Sequence, residues 1–366
     1  MAVPTIPVMA PRLPDAAALM PYLEEIDANR WYSNFGPLQR RFETRLADHF
    51  DLPKDGVACV GNCTVGLMLA LLAVAPGRGG YCIMPSYTFV ASAHAVLAAG
   101  LLPLFVDVDP QSWAVTQAGV VEAMRSADSP VAAVLVVSPF GAPVDIAAWD
   151  DFAAQHGVPV VIDAAAGFDG AIAGKSPLVL SFHATKVMGT GEGGAILSRD
   201  GAVVRSIAAA SNFGFHDSRE AKAIGFNGKL SEYNAAVGLA SLDAWPATRR
   251  TLTRLTRLYA EALNGVGNIS PSPGFGAGWV SSTCNVVFDR SVADAAMDAL
   301  ADAAIDSRQW WGKGCHRQPA FAGFPHRDLC VTDDLGQRVL GLPFHEALDE
   351  RDIERIVSAV ASAAQR

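Results

Sequence analysis

Short apolar segments alternate with helix-like segments through the first half of the chain, and this alternation restricts the fold more than any other feature. The apolar runs that we interpret as strands are Val57–Val60, Tyr81–Met84, Leu102–Val106, Ala132–Val137 and Val158–Ile162. The helix-like segments between them are Thr64–Val74, Val90–Ala99, Ala118–Arg125 and Ile146–Gln155. Strands that are apolar throughout are typical of a parallel sheet buried on both faces. The sequence therefore predicts a mostly parallel α/β sheet with helices on both faces, extended to seven strands by Leu178–Phe182 and Gly194–Ser198.

The second half of the chain has a different pattern, which begins with a long helical stretch. This stretch covers Ser231–Leu263, and Pro246 inside it is expected to kink or split the helix. The other elements predicted from apolar spacing are helices at Ala16–Ile26, Pro37–Phe50, Val292–Ala304 and Glu350–Ala363, and a strand at Thr283–Phe288. We therefore predict two domains: residues 1–244 hold an N-terminal arm and the large sheet, and residues 245–366 form a smaller α+β domain.

The charge and hydropathy of the chain argue against several classes of partner. Its 28 Lys and Arg residues against 37 Asp and Glu residues give a net charge of −9, so no general attraction to nucleic acid or anionic membranes is expected. No apolar run reaches the ~18–20 residues that span a bilayer, and the first residues lack the features of a signal peptide. The six cysteines form no Cys-x-x-Cys pair, and metal-ligand spacing is absent. We expect a soluble, cytoplasmic protein without a metal site.

Two glycine-containing motifs resemble nucleotide-binding signatures but lack the required context. Gly189–Gly194 satisfies G-x-G-x-x-G, yet it leads into a strand-like run instead of opening a helix. Gly174-Lys-Ser resembles the end of a P-loop, but Pro177 follows it and Asp169 occupies the position of the first glycine. Neither motif predicts a nucleotide cofactor.

Three features at strand ends, each ordinary alone, together suggest a different cofactor. Asp163 and Lys186 each follow an apolar strand, and the segment Asn62–Gly66 joins a strand to a helix. The free N–H groups at that helix start and the Thr64 hydroxyl suit a phosphate. Taken singly, Asp163 could be a helix cap and Lys186 a surface residue. Because ligands of α/β sheets bind at the carboxyl ends of strands, an acid, a lysine and a phosphate cradle at one sheet edge suggest pyridoxal phosphate.

With these residues in view, the sequence resembles the DegT/DnrJ/EryC1/StrS family of sugar aminotransferases, from about Trp31 to the last helix. The motifs that carry the resemblance are Trp31–Pro37, Pro85–Val90, Phe105–Pro110, Asp163–Ala165, Ser181–Val187, Glu192–Gly194, Asn212–Phe215, Gly225–Lys229 and Glu232–Ala236. The resemblance implies a fold-type I pyridoxal-phosphate enzyme. The residues of several motifs are most similar to those of the family branch that makes dTDP-linked 3-amino or 4-amino dideoxysugars.

The resemblance also implies roles for residues around the cofactor ring. Lys186 would bind the cofactor covalently and then serve as the base and acid of the proton shift, tasks that a lowered lysine pKa favours. Asp163 would pair with the pyridine nitrogen and keep it protonated. Phe89 would stack on the ring face, although a plain core aromatic is the alternative interpretation.

Further implied roles concern the phosphate and the substrate. Thr64, Val65 and Ser181 would hold the cofactor phosphate, and Asn227 matches the position that reaches it from the other subunit of a homodimer. The substrate contacts implied by the motifs are Tyr32, His183, Lys229 and His316. Each active site would then be shared between two copies of the chain.

One position departs from the family. The third residue after Asp163 is usually Gln or His, which contacts the cofactor's phenolic oxygen, and here it is Ala166. The expected activity is transamination of a nucleotide-linked keto-deoxysugar at C3 or C4, with glutamate as the amino donor and pyridoxamine phosphate in the cycle. Two alternatives stay open: an aminotransferase acting on a keto-cyclitol without a nucleotide, and a non-catalytic sensor that has kept the fold.

Overall fold

The computed structural model describes residues 4–76, 79–215 and 217–365, so the outer limits of the two predicted domains lie outside the described residues. The helices are α1 (Ala16–Asn29), α2 (Pro37–His49), α3 (Cys63–Val74), α4 (Val90–Ala98), α5 (Gln117–Ser126), α6 (Ile146–His156), α7 (Gly201–Ala210), α8 (Glu232–Leu263), α9 (Ala293–Asp302), α10 (Cys330–Arg338) and α11 (Glu350–Ala364). The strands are β1 (Val57–Val60), β2 (Tyr81–Pro85), β3 (Leu102–Val106), β4 (Val131–Val137), β5 (Val160–Asp163), β6 (Leu178–Ser181), β7 (Gly194–Leu197), β8 (Ile269–Pro271), β9 (Cys284–Phe288) and β10 (Val339–Leu342).

The first seven strands form one sheet in the order β1-β7-β6-β5-β4-β2-β3. The pairs from β3 to β6 are parallel, and β7 runs antiparallel to both of its neighbours, β6 and β1. Strands β8, β9 and β10 form a separate antiparallel sheet. The predicted α/β class is therefore confirmed: a mostly parallel seven-stranded sheet accompanied by a smaller C-terminal sheet.

Buried side chains form separate hydrophobic clusters on the two faces of the large sheet. Helix α3 is apolar along almost its whole length, and Leu67, Leu69 and Leu71 are fully buried. Such a helix is stable only when it is covered on all sides, and it packs between the sheet and helices α4 and α7. This burial fixes the N-terminus of α3 at the carboxyl edge of the sheet. No helix in the described ranges is long and apolar enough to cross a membrane.

The structure differs from the sequence prediction at several elements. Helix α8 is continuous from Glu232 to Leu263, so the expectation that Pro246 splits it was wrong. Proline removes one N–H donor from the helix, but the adjacent Trp245 is buried against Phe168, with ring centroids 4.9 Å apart, and packing holds the helix together. Elements that the sequence pattern did not predict are α7, α10, β8 and β10.

The N-terminus of α2 is capped by a buried carboxylate from α8. The Glu232 side chain, which is 1% exposed, accepts hydrogen bonds of 2.8 Å from the backbone N–H groups of Leu38 and Gln39. A negative charge at a helix N-terminus satisfies N–H groups that have no partner within the helix and interacts favourably with the helix dipole. The cap therefore ties the start of α2 to the start of α8.

Gly36, which precedes α2, provides a test of this cap. An added Cβ at Gly36 would lie 2.7 Å from both carboxylate oxygens of Glu232, closer than a methyl group tolerates. We expect Gly36→Ala to lower the free energy of unfolding by about 2 kcal/mol, measured by urea denaturation. Gly267→Ala is the matched control, since an added Cβ there meets no atom within 4 Å. An equal loss in both variants would contradict this account.

Glu43 on α2 makes the stability of the protein depend on pH. Its Oε1 atom accepts hydrogen bonds from the Cys59 N–H at 2.9 Å and the Gln39 amide at 3.1 Å. Burial, opposed by these hydrogen bonds, raises the pKa of Glu43 to about 7. A raised carboxyl pKa means that the folded state binds the proton more tightly, so this contribution is lost as pH rises from about 4.5 to about 7.

We expect Glu43→Gln, which mimics the protonated carboxyl, to be more stable than the wild type at about pH 8, by up to about 3 kcal/mol. The difference should fall below about 1 kcal/mol near pH 5, where the wild-type carboxyl is protonated in the folded state. Denaturant unfolding at both pH values measures it. Glu24→Gln, at an exposed carboxyl on α1, is the control, and a constant difference between pH 5 and pH 8 would refute the assignment.

Candidate active site

Three chain segments meet at one edge of the large sheet. Asp163 is the last residue of β5 and Ser181 is the last residue of β6, and these parallel strands are neighbours. The first turn of α3 reaches the same edge through β7, where an added Cβ at Gly194 would lie 2.9 Å from the Cys63 backbone nitrogen. Cys63, Asp163 and Lys186 are close enough to perturb one another's pKa values. The structure thus brings together the acid, the lysine and the helix start.

Asp163 is held in one orientation by two hydrogen bonds. Its Oδ2 accepts from the Ser92 hydroxyl at 2.7 Å, and its Oδ1 accepts from the Ala165 N–H at 3.1 Å. Burial raises the pKa of Asp163, whereas these two bonds and the nearby Lys186 lower it. A buried carboxyl that is fixed in this way can present a negative charge to a cationic ring nitrogen.

Lys186 lies on a loop that is braced by its own backbone. Hydrogen bonds join the Lys186 N–H to the His183 carbonyl at 2.9 Å and the Ala184 N–H to the Gly191 carbonyl at 2.8 Å. Burial lowers the pKa of Lys186, and the neighbouring Cys63 and Asp163 oppose that shift. A lysine with a lowered pKa supplies more of the neutral amine, the form that acts as a nucleophile or base.

The predicted phosphate cradle is formed by the turn between β1 and α3. Asn62 caps α3, its side chain accepting from the Val65 N–H at 2.9 Å, so the predicted Val65 donor already has a partner within the chain. Within the described residues the Thr64 hydroxyl makes no hydrogen bond, and the Ser181 Oγ accepts from the His183 N–H at 3.3 Å. Because the Ser181 hydroxyl hydrogen is not used in that bond, Thr64 and Ser181 are the two hydroxyl donors for an anion.

Asn227 and Lys229 lie beside this cradle in the same chain. The Gly61 N–H donates to the Gly228 carbonyl at 2.8 Å, which places the segment next to the end of β1. Lys229 Nζ donates to Asn212 Oδ1 at 2.9 Å, and burial lowers its pKa. The Asn227 side chain is exposed, so it faces outward from the subunit that carries it.

Other predicted residues are also exposed in the single chain. Phe89, at the start of α4, is 57% exposed, and Tyr32 is 49% exposed and stacks on Tyr233 with ring centroids 6.3 Å apart. His183 is exposed, and its Nδ1 lies 2.8 Å from the Thr185 hydroxyl. Their predicted roles toward cofactor and substrate therefore stay predictions.

His316 is placed differently from the other predicted substrate residues. It is 8% exposed, and both ring nitrogens are within hydrogen-bond distance of groups in the same chain, Ser86 and Asp333. No role was predicted for Ser92 and Thr88, whose hydroxyl groups lie 3.0 Å apart and of which Ser92 donates to Asp163. The signals in the sequence were the place of Thr88 within the motif Pro85–Val90 and that of Ser92 about one turn beyond Phe89.

The donor set fits pyridoxal phosphate on observations of this structure. A fixed buried carboxyl, a lysine with a lowered pKa and a helix start with two hydroxyl donors match the cofactor's ring nitrogen, aldehyde and phosphate. Ala166 has no side-chain donor, and its carbonyl oxygen packs against the backbone of Gly141, which has φ +95° and no room for a Cβ. Position 166 therefore offers no side-chain donor to the cofactor.

Comparisons with known proteins point to one family of enzymes. The sequence profile of the DegT/DnrJ/EryC1/StrS aminotransferase family matches residues 15–361. Protein Rv3402c of Mycobacterium tuberculosis is 34% identical over an alignment that covers 100% of this chain and 91% of that protein. The dTDP-4-amino-4,6-dideoxy-D-glucose transaminase of Shigella dysenteriae is 31% identical, with 96% and 97% covered.

A solved structure gives the same result for the fold. The crystal structure of DesI in the presence of its TDP-sugar product matches with a TM-score of 0.88 and 32% identity, covering 100% of this chain and 94% of that one. The resemblance inferred from the motifs is thereby confirmed, together with the fold type and the cofactor. The chain belongs to the DegT/DnrJ/EryC1/StrS aminotransferase family and is a pyridoxal-phosphate-dependent sugar aminotransferase.

Proposed function

We propose that this enzyme transfers an amino group, with glutamate as donor, to C3 or C4 of a dTDP-linked keto-deoxysugar in cytoplasmic amino-sugar biosynthesis. The observation that carries the proposal is the meeting of Asp163, Lys186 and the α3 N-terminus at one sheet edge. The named activity of the Shigella relative supports a dTDP sugar as the substrate. The product would enter surface polysaccharides or glycosylated natural products.

The bound cofactor would supply an electron-accepting ring that stabilises negative charge at the carbon next to the transferred nitrogen. Asp163 would hold the ring nitrogen protonated, since its carboxylate is fixed by Ser92 and Ala165. Thr64 and Ser181 would donate to the phosphate, where the α3 dipole also favours negative charge. Together these residues would fix the ring at three points.

Lys186 would move the proton during the transfer. Its Nζ, neutral in a larger fraction because burial lowers its pKa, would take a proton from the donor carbon and return one at the cofactor's exocyclic carbon. In the second half of the cycle the same amine would run these steps in reverse and place a proton on the sugar carbon. The backbone hydrogen bonds of the loop around Lys186 would restrict the movement of this side chain to these proton transfers.

We further propose that two copies of the chain share each active site. Asn227 of the partner subunit would reach the cofactor phosphate, as its exposure at the surface of its own subunit allows. Large apolar side chains flank it, with Ile224 56% and Phe226 41% exposed. A contact between subunits would remove these side chains from water and place Asn227 at the second copy.

The substrate assignment is tested by single-turnover reaction of the pyridoxamine-phosphate form with separate keto compounds. We expect conversion of the cofactor to the aldehyde form with a dTDP-linked keto-deoxysugar to be at least about tenfold faster than with GDP- or UDP-linked sugars, the discrimination expected from a few nucleotide contacts. Absorbance of the cofactor measures the rate. Fastest conversion with a free keto-cyclitol would replace this proposal by the cyclitol alternative, and no conversion of any donor or acceptor would indicate a non-catalytic sensor.

A further inference from the structure

A turn in the C-terminal region is fastened to the loop that follows β2. The turn is a 3-10 helix, Cys315–Arg317. The Cys315 N–H donates to the Ser86 carbonyl at 2.7 Å, and the His316 N–H donates to the Ser86 Oγ at 3.1 Å. Gly314, with φ +87°, precedes the turn, and an added Cβ there would lie 3.1 Å from the same Oγ. The two segments are therefore in direct contact without space for a substrate between them.

The hydrogen bonds around His316 determine its tautomer. Ser86 Oγ lies 2.7 Å from His316 Nδ1, and His316 Nε2 lies 3.1 Å from Asp333 Oδ1. Because a carboxylate only accepts, Nε2 carries the proton and donates to Asp333. Nδ1 is then the acceptor for the Ser86 hydroxyl, whose oxygen still accepts from the His316 backbone. In this neutral form every donor of the cluster has a partner.

Protonation of His316 would break this arrangement. A charged imidazole donates from both nitrogens, and the hydroxyl hydrogen of Ser86, which is 0% exposed, would lose its acceptor. Burial lowers the pKa of His316, Arg317 and the nearby His326 act in the same direction, and Asp333 opposes them. Arg317 also forms an ion pair with Asp333 at 2.6 Å. The neutral form is therefore the one that the surroundings favour.

The loop held by His316 leads directly to the cofactor residues. Thr88 donates its hydroxyl to the Ser92 Oγ over 3.0 Å, because the Ser92 hydroxyl hydrogen is used in the 2.7 Å bond to Asp163. Phe89, the predicted stacking residue, lies between Thr88 and Ser92 in the sequence. Thr88 is 2% exposed and Ser92 0%. The position of this loop consequently sets both the hydroxyl that orients Asp163 and the ring of Phe89.

We propose that His316 is a positioning residue: in its neutral form it anchors the Ser86–Ser92 loop, and its protonation releases that anchor and weakens cofactor binding. The proposal rests on the proposed cofactor contacts of Asp163 and Phe89. It assigns to His316 a role through Ser86 instead of contact with the substrate. It also predicts that cofactor affinity depends on pH through a histidine that does not touch the cofactor.

The test is a titration of cofactor-free, full-length protein with pyridoxal phosphate, from about pH 8 to about pH 5, across the ordinary histidine range. His316→Gln keeps a donor for Asp333 but loses the acceptor for Ser86, and we expect it to bind about tenfold more weakly than the wild type near pH 8. As the pH falls, the ratio of its Kd to that of the wild type should decrease, because protonation of His316 in the wild type removes the same bond. His316→Asn keeps an acceptor near Nδ1 and does not titrate, so near pH 5 it should bind several-fold more tightly than the wild type.

The control is His156→Gln, at a histidine in the last turn of α6 that packs on Phe152 and is not part of the His316 cluster. Its Kd relative to the wild type should be about one throughout. The unfolding temperature of each cofactor-free variant is measured in parallel. Kd ratios of the His316 variants that stay constant with pH would overturn the proposal, whether or not those variants are less stable. Failure of the wild type to bind pyridoxal phosphate at any pH would instead overturn the cofactor contacts on which it rests.

Discussion

Replacing Lys186 by alanine is expected to lower kcat for amino transfer by a factor of at least about 10³, the range lost when a positioned acid–base group is removed. In the proposed mechanism Lys186 would carry the proton, and the resemblance implies that it would also bind the cofactor covalently, so one substitution would remove two tasks. The measurement is steady-state transfer from glutamate to a dTDP-keto sugar at saturating pyridoxal phosphate. The visible absorbance band of the covalently bound cofactor should disappear in the same variant.

Two further variants distinguish the loss of these two tasks from the loss of a positive charge alone. Lys186→Arg keeps a cation, but a guanidinium stays protonated and is not a base at neutral pH, so this variant should be as inactive as Lys186→Ala. Lys175→Ala removes an exposed lysine from a loop that follows β5 in the chain, and its activity should equal that of the wild type. Wild-type turnover by Lys186→Ala would refute the assignment of the active site.

Asp163→Asn is expected to reduce kcat by about 10²–10³-fold, the effect of removing one preorganised electrostatic group from a buried site. An amide cannot keep the ring nitrogen protonated, although its oxygen can still accept the hydrogen bond that Ser92 donates at 2.7 Å. The variant should therefore fold and bind the cofactor while losing the rate of proton transfer. A single-turnover measurement with glutamate isolates that step.

Ser92→Ala gives a graded comparison for Asp163. It leaves the carboxylate in place and removes one of the two hydrogen bonds that orient it. We expect a smaller loss of about tenfold, the lower end of the effect of one hydrogen bond to a charged group. If Asp163→Asn kept more than about a tenth of wild-type activity, or lost no more than Ser92→Ala, the electrostatic role of Asp163 would be incorrect.

The strand ends could be predicted from the sequence because parallel strands place their carboxyl ends at one edge. Val57–Val60 and Leu102–Val106 form strands with the predicted limits, since an uninterrupted apolar run is itself the signal for a buried strand. The same rule predicts from the sequence alone that Asp163 and Lys186 lie at one edge. It does not extend to α8, because the local propensity of Pro246 does not include the packing of Trp245.

Other parts of the site depend on contacts that spacing along the sequence does not encode. The hydroxyl chain from Thr88 through Ser92 to Asp163 requires a particular side-chain orientation at each residue. The bond between Ser86 and His316 joins residues 230 positions apart. The resemblance implied that His316 contacts the substrate, but only the fold shows that it faces the loop after β2.

The pairing of the first strand with the seventh has a consequence for the order of assembly on the ribosome. Within the large sheet, β1 pairs with β7, with Val57 opposite Leu197. A nascent chain that ends before Leu197 therefore has no position in the sheet for β1, and the α3 start has no fixed place beside Asp163. Such distant pairing slows folding because a long loop must close first. A chain that has been synthesised only to its middle therefore lacks the strand that fixes β1, and the proposed phosphate cradle is incomplete until Leu197 has been added.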